Sequence, residues 1–300
     1  MAVTVTADRI KTYAGFVKLE HTVFSLPLIY AGVILATPWP SARLLVMVLV
    51  AAMGGRATAL ALNRLIDAKL DRLNPRTRMR ELPSGAMRVW EGWLILIVAS
   101  AVYVTSAALI GPICLALSPI PLALFVLYPY LKRFTSLAHV GLGLAWSTAP
   151  LGGWLAGEVF QAGREATLAG VEWLNLFVGM GFTVGWLWVF SILWVAGFDI
   201  IYGTMDEAFD REHGLHSLPV ALGTRPALFV ASLLHLAAFV CLWMLWRTQL
   251  HTTRALAWLA AIGALFIWQH AIADRKPEFA FFQLNGMLGF LVFAFVWAGV

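Results

Sequence analysis

Charged residues are scarce in this 300-residue chain. Asp, Glu, Lys and Arg together make up 12% of it, whereas hydrophobic residues make up 61%. A soluble globular domain carries about a quarter charged residues, so this composition excludes an ordinary soluble protein. The sequence instead predicts an integral membrane protein that is surrounded by a lipid bilayer.

Cysteine is rarer still, because the chain has only Cys114 and Cys241, each inside an apolar stretch. A disulfide framework or a cysteine-based metal site needs more cysteines than this, so both are interpreted as packing residues. The N-terminal residues lack the pattern of a cleavable signal peptide, and the first span is therefore expected to be retained. The 21 Lys and Arg exceed the 16 Asp and Glu, which in a membrane protein indicates topology and no nucleic-acid partner.

Long apolar runs dominate the rest of the sequence. A helix needs about 20 apolar residues to cross a bilayer, and the turn signal at Gly111–Pro112 separates two of the runs. We predict an all-α integral membrane fold of nine transmembrane helices, packed in one bundle that forms a single domain over residues 1–300. The predicted spans are 23–37, 44–62, 92–111, 113–130, 138–157, 179–198, 226–246, 254–273 and 280–299.

The distribution of basic residues predicts the orientation of this bundle. Most Lys and Arg lie in the N-terminal tail and in the loops after spans two, four, six and eight. The opposite loops contain Arg43, Arg164, Arg247 and Arg254. Because basic loops stay in the cytoplasm, the N-terminus is predicted to be cytoplasmic and the C-terminus outside, in a bacterial inner (plasma) membrane. Whether the outer loop at 158–178 folds into an amphipathic helix is left open by the sequence.

The first acidic motif spans residues 63–71, at the predicted cytoplasmic end of span two. Asn63, Asp67 and Asp71 are spaced i, i+4 and i+8, which places them on one stripe of a helix. Carboxylates one turn apart repel each other, and a cation between them removes that cost. Carboxylate and amide oxygens suit Mg²⁺. The alternative interpretation is a solvated juxtamembrane segment whose basic neighbours only set the topology.

The second acidic motif spans residues 199–210, at the predicted cytoplasmic end of span six. Asp199, Tyr202, Asp206 and Asp210 fall at i, i+3, i+7 and i+11, so a continuous helix would keep all four in a narrow stripe. Carboxylates at a membrane boundary are costly unless paired. Two such motifs on one side of the membrane favour a site that holds one or two Mg²⁺ ions and a diphosphate.

Basic residues around these motifs complete the predicted site. Arg56 lies inside a span, two turns before the first motif, and such an arginine usually faces the bundle interior. Tyr128, Lys132 and Arg133 follow span four on the same predicted face, where basic groups clamp a diphosphate. Arg72 lies in the loop after span two.

Both motifs resemble those of the UbiA family of membrane prenyltransferases, which carry N-x-x-x-D-x-x-x-D after the second span and D-x-x-Y-x-x-x-D-x-x-x-D after the sixth. The resemblance extends to "RT" at 76–77, "R-x-L-P-S-G" at 80–85 and "YP-x-x-KR" at 128–133. The whole pattern is most similar to the branch of 4-hydroxybenzoate polyprenyltransferases and futalosine-route menaquinone enzymes. One departure is Arg64, which stands where many members have Asp.

The resemblance implies a Mg²⁺-dependent transfer of a polyprenyl group from a polyprenyl diphosphate to an aromatic acceptor. That acceptor is of the hydroxybenzoate or dihydroxynaphthoate type, and the reaction belongs to ubiquinone or menaquinone biosynthesis. The active site is expected to face the cytoplasm. The expected metal ligands are Asp67, Asp71, Asp206 and Asp210. The expected catalytic residues are Asp199, Tyr202 and Lys132, and the expected substrate-binding residues are Lys18, Arg56, Asn63, Arg72, Tyr128 and Arg133.

Other functions remain open at this stage. Within the UbiA family, the alternative is a haem farnesyltransferase or a chlorophyll synthase. Outside them, related motifs in two halves of a chain are also typical of a secondary transporter, although transporter sites lie near the membrane midplane. An inactive scaffold is disfavoured because every expected ligand is present.

Overall fold

A computed structural model shows an entirely helical chain over the residues it describes, which are 2–18, 22–162 and 173–300, with side chains for 9–18, 25–162 and 178–300. The first seven helices are α1 (Ala2–Phe16), α2 (Thr22–Ala36), α3 (Ala42–Leu73), α4 (Val89–Ile110), α5 (Pro112–Leu117), α6 (Pro119–Leu131) and α7 (Ala138–Ala162). The remainder are α8 (Trp173–Thr183), α9 (Gly185–Gly203), α10 (Glu207–Glu212), α11 (Leu218–Leu222), α12 (Thr224–Leu245), α13 (Thr253–Ile272), α14 (Pro277–Phe279) and α15 (Asn285–Gly299).

Seven helical segments in the described ranges are long and apolar enough to cross a membrane. They are Ala42–Leu73, Val89–Ile110, Pro112–Leu131, Gly185–Glu212, Thr224–Leu250, Thr253–Ile272 and Pro277–Gly299. Of the predicted spans, 23–37 falls on the shorter α2 and 138–157 on α7. The predicted count of nine stays a prediction, as does the orientation of the termini. Of the outer loop at 158–178, residues 163–172 lie outside the described residues.

Small residues bring the central helices close together. A Cβ atom on Gly32 of α2 would lie 2.1 Å from the Pro150 carbonyl oxygen of α7, and one on Gly153 would lie 2.1 Å from the Ile29 carbonyl oxygen. Helix interfaces in membranes depend on such close backbone approach. The α2–α7 pair therefore packs with its backbones nearly in contact, beside the buried aromatic core around Trp194 of α9.

The lengths of α3 and α9 determine where the two acidic motifs lie. With 32 residues, α3 is roughly 48 Å long at a rise of 1.5 Å per residue. Because that exceeds the roughly 30 Å hydrocarbon core, its last turns extend past the apolar part of the bundle. Those turns carry the first motif on a continuous helix, as the spacing predicts.

The second motif does not lie on a single helix. The backbone leaves the α-helix after Gly203, makes a 3₁₀ turn over Thr204–Asp206 and resumes in α10. The prediction of one continuous stripe from Asp199 to Asp210 is therefore wrong in detail, because it assumed a constant 100° per residue. The turn changes the direction of Asp206 and Asp210 relative to Asp199.

Candidate active site

A cavity of about 370 Å³ lies at the ends of α3, α6 and α9. All the predicted site residues line it except Arg72 and Arg133. Those that line it are Lys18, Arg56, Asn63, Asp67, Asp71, Tyr128, Lys132, Asp199, Tyr202, Asp206 and Asp210. The two acidic motifs, more than 120 residues apart in the chain, thus face one space.

Asp67 is paired with basic residues from the loop after α6. Its side chain is 5% exposed and accepts a hydrogen bond from Lys132 Nζ at 2.7 Å. Arg133 Nη2 lies 3.4 Å from the other oxygen and also donates to the Ile66 carbonyl at 3.1 Å. Arg133 therefore reaches the site through Asp67, although it does not line the cavity.

Asp71 is paired within its own segment. Arg80 Nη1 donates to both carboxylate oxygens, at 2.8 and 2.9 Å, and Thr77 Oγ1 donates to the Asp71 carbonyl at 3.1 Å. The loop after α3 thereby folds back over the helix end. Arg80 thereby neutralises the Asp71 carboxylate, whose side chain is only 9% exposed.

Asp206 joins the loop after the first motif to the second motif. Asn74 Nδ2 donates to its Oδ1 at 2.9 Å, and Arg76 Nε donates to the same oxygen at 3.0 Å. The Arg76 guanidinium also donates to Asp206 Oδ2 and to the Tyr202 hydroxyl. Burial acts to lower the pKa of Arg76, but its hydrogen bonds to Asp206 and Tyr202 outweigh burial and raise that pKa above its usual range.

Asp199 is held by a histidine of α7. Its Oδ2 lies 2.7 Å from His139 Nδ1. Asp210 is half-buried on the opposite side of the turn and lines the same cavity. The acids therefore lie in different environments, since Asp67, Asp71 and Asp206 each face a cation, whereas Asp199 faces an imidazole.

The sequence interpretation missed several contributors. It included Arg76 and Arg80 only within the segments that carry the family resemblance, and it assigned no role to His139. The signal for the two arginines was present in the "RT" and "R-x-L-P-S-G" segments. Conversely, the predicted substrate-binding residue Arg72 is exposed and does not line the cavity, because it lies one position along the helix from the buried Asp71.

The oxygen donors of the cavity fit Mg²⁺ in kind. Five carboxylates and the amide of Asn63 line it, and Mg²⁺ prefers oxygen ligands while keeping several waters. Among the described residues, no three Asp, Glu, His or Cys side chains already converge as a metal-ligand group. Three of the carboxylates, those of Asp67, Asp71 and Asp206, are instead turned toward Lys132, Arg80 and Arg76.

Aromatic side chains form the wall next to Tyr202. The Phe281 ring lies 4.1 Å from the Tyr202 ring, between centroids, and Lys18 Nζ lies 5.3 Å from the Phe282 ring centroid. Both phenylalanines belong to a π-helical segment, Ala280–Leu284, whose carbonyls accept hydrogen bonds from the buried Asn285 amide.

A second, apolar cavity of about 410 Å³ adjoins the polar one. Arg56, Tyr128 and Trp146 line both. The Arg56 guanidinium lies 5.5 Å from the Trp146 ring centroid, and its Nε is buried with no hydrogen-bond partner in the described part of the chain. A charged cavity at the ends of α3, α6 and α9 thus leads into an apolar one, with Arg56 at the junction.

Comparison with known proteins gives matches over nearly the whole chain. The model of the UbiA prenyltransferase family matches residues 25–297. A 4-hydroxybenzoate octaprenyltransferase of Coxiella burnetii (strain CbuK_Q154) is 30% identical over 270 residues, covering 89% of this chain and 87% of that protein. The protein of the same name in Sodalis glossinidius (strain morsitans) is 28% identical, covering 97% and 96%.

Solved structures of UbiA homologs also match this chain over most of its length. The apo structure of a UbiA homolog from Aeropyrum pernix K1 superposes with a TM-score of 0.82 at 32% identity, covering 92% of this chain and 97% of that one. A UbiA homolog from Archaeoglobus fulgidus bound to GPP and Mg²⁺ has a TM-score of 0.67 at 20% identity, covering 96% and 100%.

Proposed function

Because this chain belongs to the UbiA prenyltransferase family, we propose that it transfers a polyprenyl group from a polyprenyl diphosphate to an aromatic acceptor in quinone biosynthesis. The observation that carries the proposal is the meeting of both acidic motifs in one cavity that leads into an apolar one. Curated relatives named 4-hydroxybenzoate octaprenyltransferase support an acceptor of the hydroxybenzoate type, and a dihydroxynaphthoate remains the other candidate.

The polar cavity is suited to hold the diphosphate. Asp67, Asp71, Asp206 and Asp210 would hold Mg²⁺, which when bound neutralises charge on the leaving diphosphate. A neighbour of this fold binds GPP together with Mg²⁺, which supports magnesium as the cofactor. Lys132, with Arg76 and Arg80, places fixed positive charge beside the carboxylates, where it stabilises negative charge that develops on the leaving oxygens.

The apolar cavity is suited to take the prenyl tail. Its lining is almost wholly aliphatic and aromatic, drawn from α2 to α8, and it lies next to the diphosphate region. An allylic carbon at the junction is therefore shielded from water, which a cation-like centre requires. Aromatic rings such as Trp146 can also stabilise positive charge there.

We assign the aromatic acceptor to the junction between the polar and apolar cavities. Arg56, whose Nε has no hydrogen-bond partner among the residues that the structure describes, and Lys18 are the candidates to bind its carboxylate. Asp199 is the candidate to accept a proton from its hydroxyl, and Tyr202 orients the diphosphate or the acceptor. Asn63 and Tyr128 line the same space and are assigned to substrate binding, as is Arg133 through Asp67; the exposed Arg72 is the weakest member of that predicted set.

The proposed setting is a bacterial inner membrane, with nine spans, a cytoplasmic N-terminus, an outer C-terminus and the active site at the cytoplasmic face. The two acidic motifs lie at helix ends beyond the apolar core, and basic residues surround them. This position at one face also argues against the transporter alternative, whose sites lie near the midplane.

The direct test is a product assay. Membranes containing the protein are incubated with labelled farnesyl diphosphate, Mg²⁺ and a panel of aromatic acceptors that includes 4-hydroxybenzoate and a dihydroxynaphthoate. We expect an acceptor whose mass has increased by one prenyl group, and no product when EDTA removes the metal. Movement of the label across the membrane without a new carbon–carbon bond would instead identify a transporter, and product with a porphyrin or chlorophyllide would identify another prenyltransferase.

A further inference from the structure

His139 is buried at the wall of the cavity and belongs to neither acidic motif. It lies in the first turn of α7, is 5% exposed, and faces the end of α9. Gly203 of α9 makes room for it, because a Cβ atom there would lie 3.1 Å from His139 Cε1. The imidazole is therefore tightly enclosed between two helices.

Both ring nitrogens of His139 have a defined partner. The Leu218 backbone N–H donates to Nε2 at 3.3 Å, so Nε2 carries the lone pair. A neutral imidazole has one N–H, which must then be on Nδ1 and point at Asp199 Oδ2, 2.7 Å away. This tautomer makes His139 a donor to Asp199 and requires that oxygen to be unprotonated.

The contact fixes the orientation of the Asp199 carboxylate. With Oδ2 bound to His139, rotation about the carboxylate bond is restricted. The Asp199 side chain keeps 22% exposure and lines the cavity, so Oδ1 is the oxygen available to a ligand. A histidine that holds a carboxylate in one orientation places the other carboxylate oxygen to act as a base.

We propose that His139 is a positioning residue for proton transfer, which holds the Asp199 carboxylate in the orientation in which its Oδ1 accepts the proton of the acceptor's hydroxyl. This inference rests on the proposed function. In the step, the acceptor O–H bond breaks and an O–H bond forms at Oδ1. The electron pair stays on the acceptor oxygen, which enriches the ring carbon ortho to it.

A purely structural role makes a different prediction. The bond from Leu218 ties His139 to the first residue of α11, so the imidazole also anchors that helix. If anchoring were its whole role, any substitution that removes Nε2 would have the same effect. The two roles are therefore separable by keeping one bond and removing the other.

The test compares His139→Asn with His139→Leu, two side chains of nearly equal shape that both lose the Nε2 acceptor. The Asn amide nitrogen takes the position of Nδ1 and can still donate to Asp199, whereas Leu cannot. Steady-state kinetics with farnesyl diphosphate and the acceptor used by the wild-type protein give kcat and both KM values. Melting temperatures in detergent are measured in parallel.

We expect His139→Leu to lower kcat by about 100-fold or more, the usual range for a lost acid–base function, with the KM for farnesyl diphosphate unchanged. His139→Asn should keep kcat within about tenfold of the wild type. The loss in His139→Leu should shrink with fluorinated acceptors, whose hydroxyls ionise more readily.

Equal kcat values in the two variants, whether high or low, would overturn the proposal, as would an Asn variant less active than the Leu variant. A loss that does not depend on the acidity of the acceptor would also overturn it. Failure of the proposed function itself is distinguishable, because then the wild-type protein would prenylate no aromatic acceptor.

Discussion

At the scale of single residues, three carboxylates at the site are neutralised by the chain's own cations. Lys132 contacts Asp67, Arg80 contacts Asp71 and Arg76 contacts Asp206, all at charge-assisted hydrogen-bond distances. Unpaired buried carboxylates are costly, so these cations allow the acids to be brought together during folding. The same cations surround the space that a diphosphate would occupy.

The assignment of Asp67 is tested by Asp67→Asn. The substitution keeps the shape but removes one negative charge from the proposed metal site, and we expect Mg²⁺-dependent transfer to fall by about 100-fold or more. Stability should change by no more than about 1 kcal/mol, since Lys132 is partly exposed and can be solvated. Activity is measured in membranes at equal protein levels.

Glu91→Gln is the matched control. Glu91 is also a buried carboxylate, bound by Arg9 at 2.7 Å and Tyr13 at 2.8 Å, but it lies outside the cavity. That variant should keep near-normal turnover. Normal turnover in Asp67→Asn would contradict the ligand assignment, and equal losses in both variants would indicate a general effect of charge removal.

At the scale of elements, glycines on α7 determine how closely the helices pack. Gly143 lets α7 approach α9, since a Cβ there would lie 2.5 Å from the Ile192 carbonyl oxygen, and Gly153 does the same toward α2. These contacts place His139 of α7 beside Asp199 of α9. The position of the site therefore depends on backbone contacts along α7 as well as on the charged residues.

Two adjacent glycines of α7 provide a controlled test of this packing. In Gly153→Ala the new methyl would meet the Ile29 backbone, whereas in Gly152→Ala nothing lies within 4 Å of it. Overpacking costs about 1–3 kcal/mol, so Gly153→Ala should lower the melting temperature in detergent. Gly152→Ala should leave it unchanged or raise it, because alanine is the better helix former by up to about 1 kcal/mol. Equal melting temperatures for the two variants would show that α7 can shift at no cost.

At the scale of the whole molecule, the acidic motifs and their cations lie together at one end of the bundle. The apolar segments occupy the middle, and the long α3 carries the first motif beyond them. A charged diphosphate and an apolar tail, the two parts of the proposed substrate, would thus meet at that end of the bundle. This arrangement follows from the length of helices such as α3, and from the polar residues at their ends, as much as from any single residue.

Cysteine labelling tests the proposed orientation. Ser84, after α3, and Thr248, after α12, are both exposed and lie on opposite predicted faces, while Cys114 and Cys241 are buried. In spheroplasts, a membrane-impermeant maleimide should label a Thr248→Cys variant, and a Ser84→Cys variant only after the membrane is disrupted. The reverse pattern would invert the predicted topology.

The sequence by itself determined the class of protein and picked out both acidic motifs, whose residues line the cavity. Composition decides whether a chain belongs in a bilayer, and the i, i+4, i+8 spacing of Asn63, Asp67 and Asp71 lies on α3 as predicted. Both are local properties, because a helix repeats its faces without reference to the rest of the chain.

Only the tertiary structure decided which groups meet across the cavity. The pairing of Arg76 with Asp206, the contact of His139 with Asp199 and the turn that breaks the second motif all join or reshape segments that the sequence treats separately. Helical period specifies a direction within one element, whereas a contact between residues 60 or 130 positions apart depends on how the helices pack.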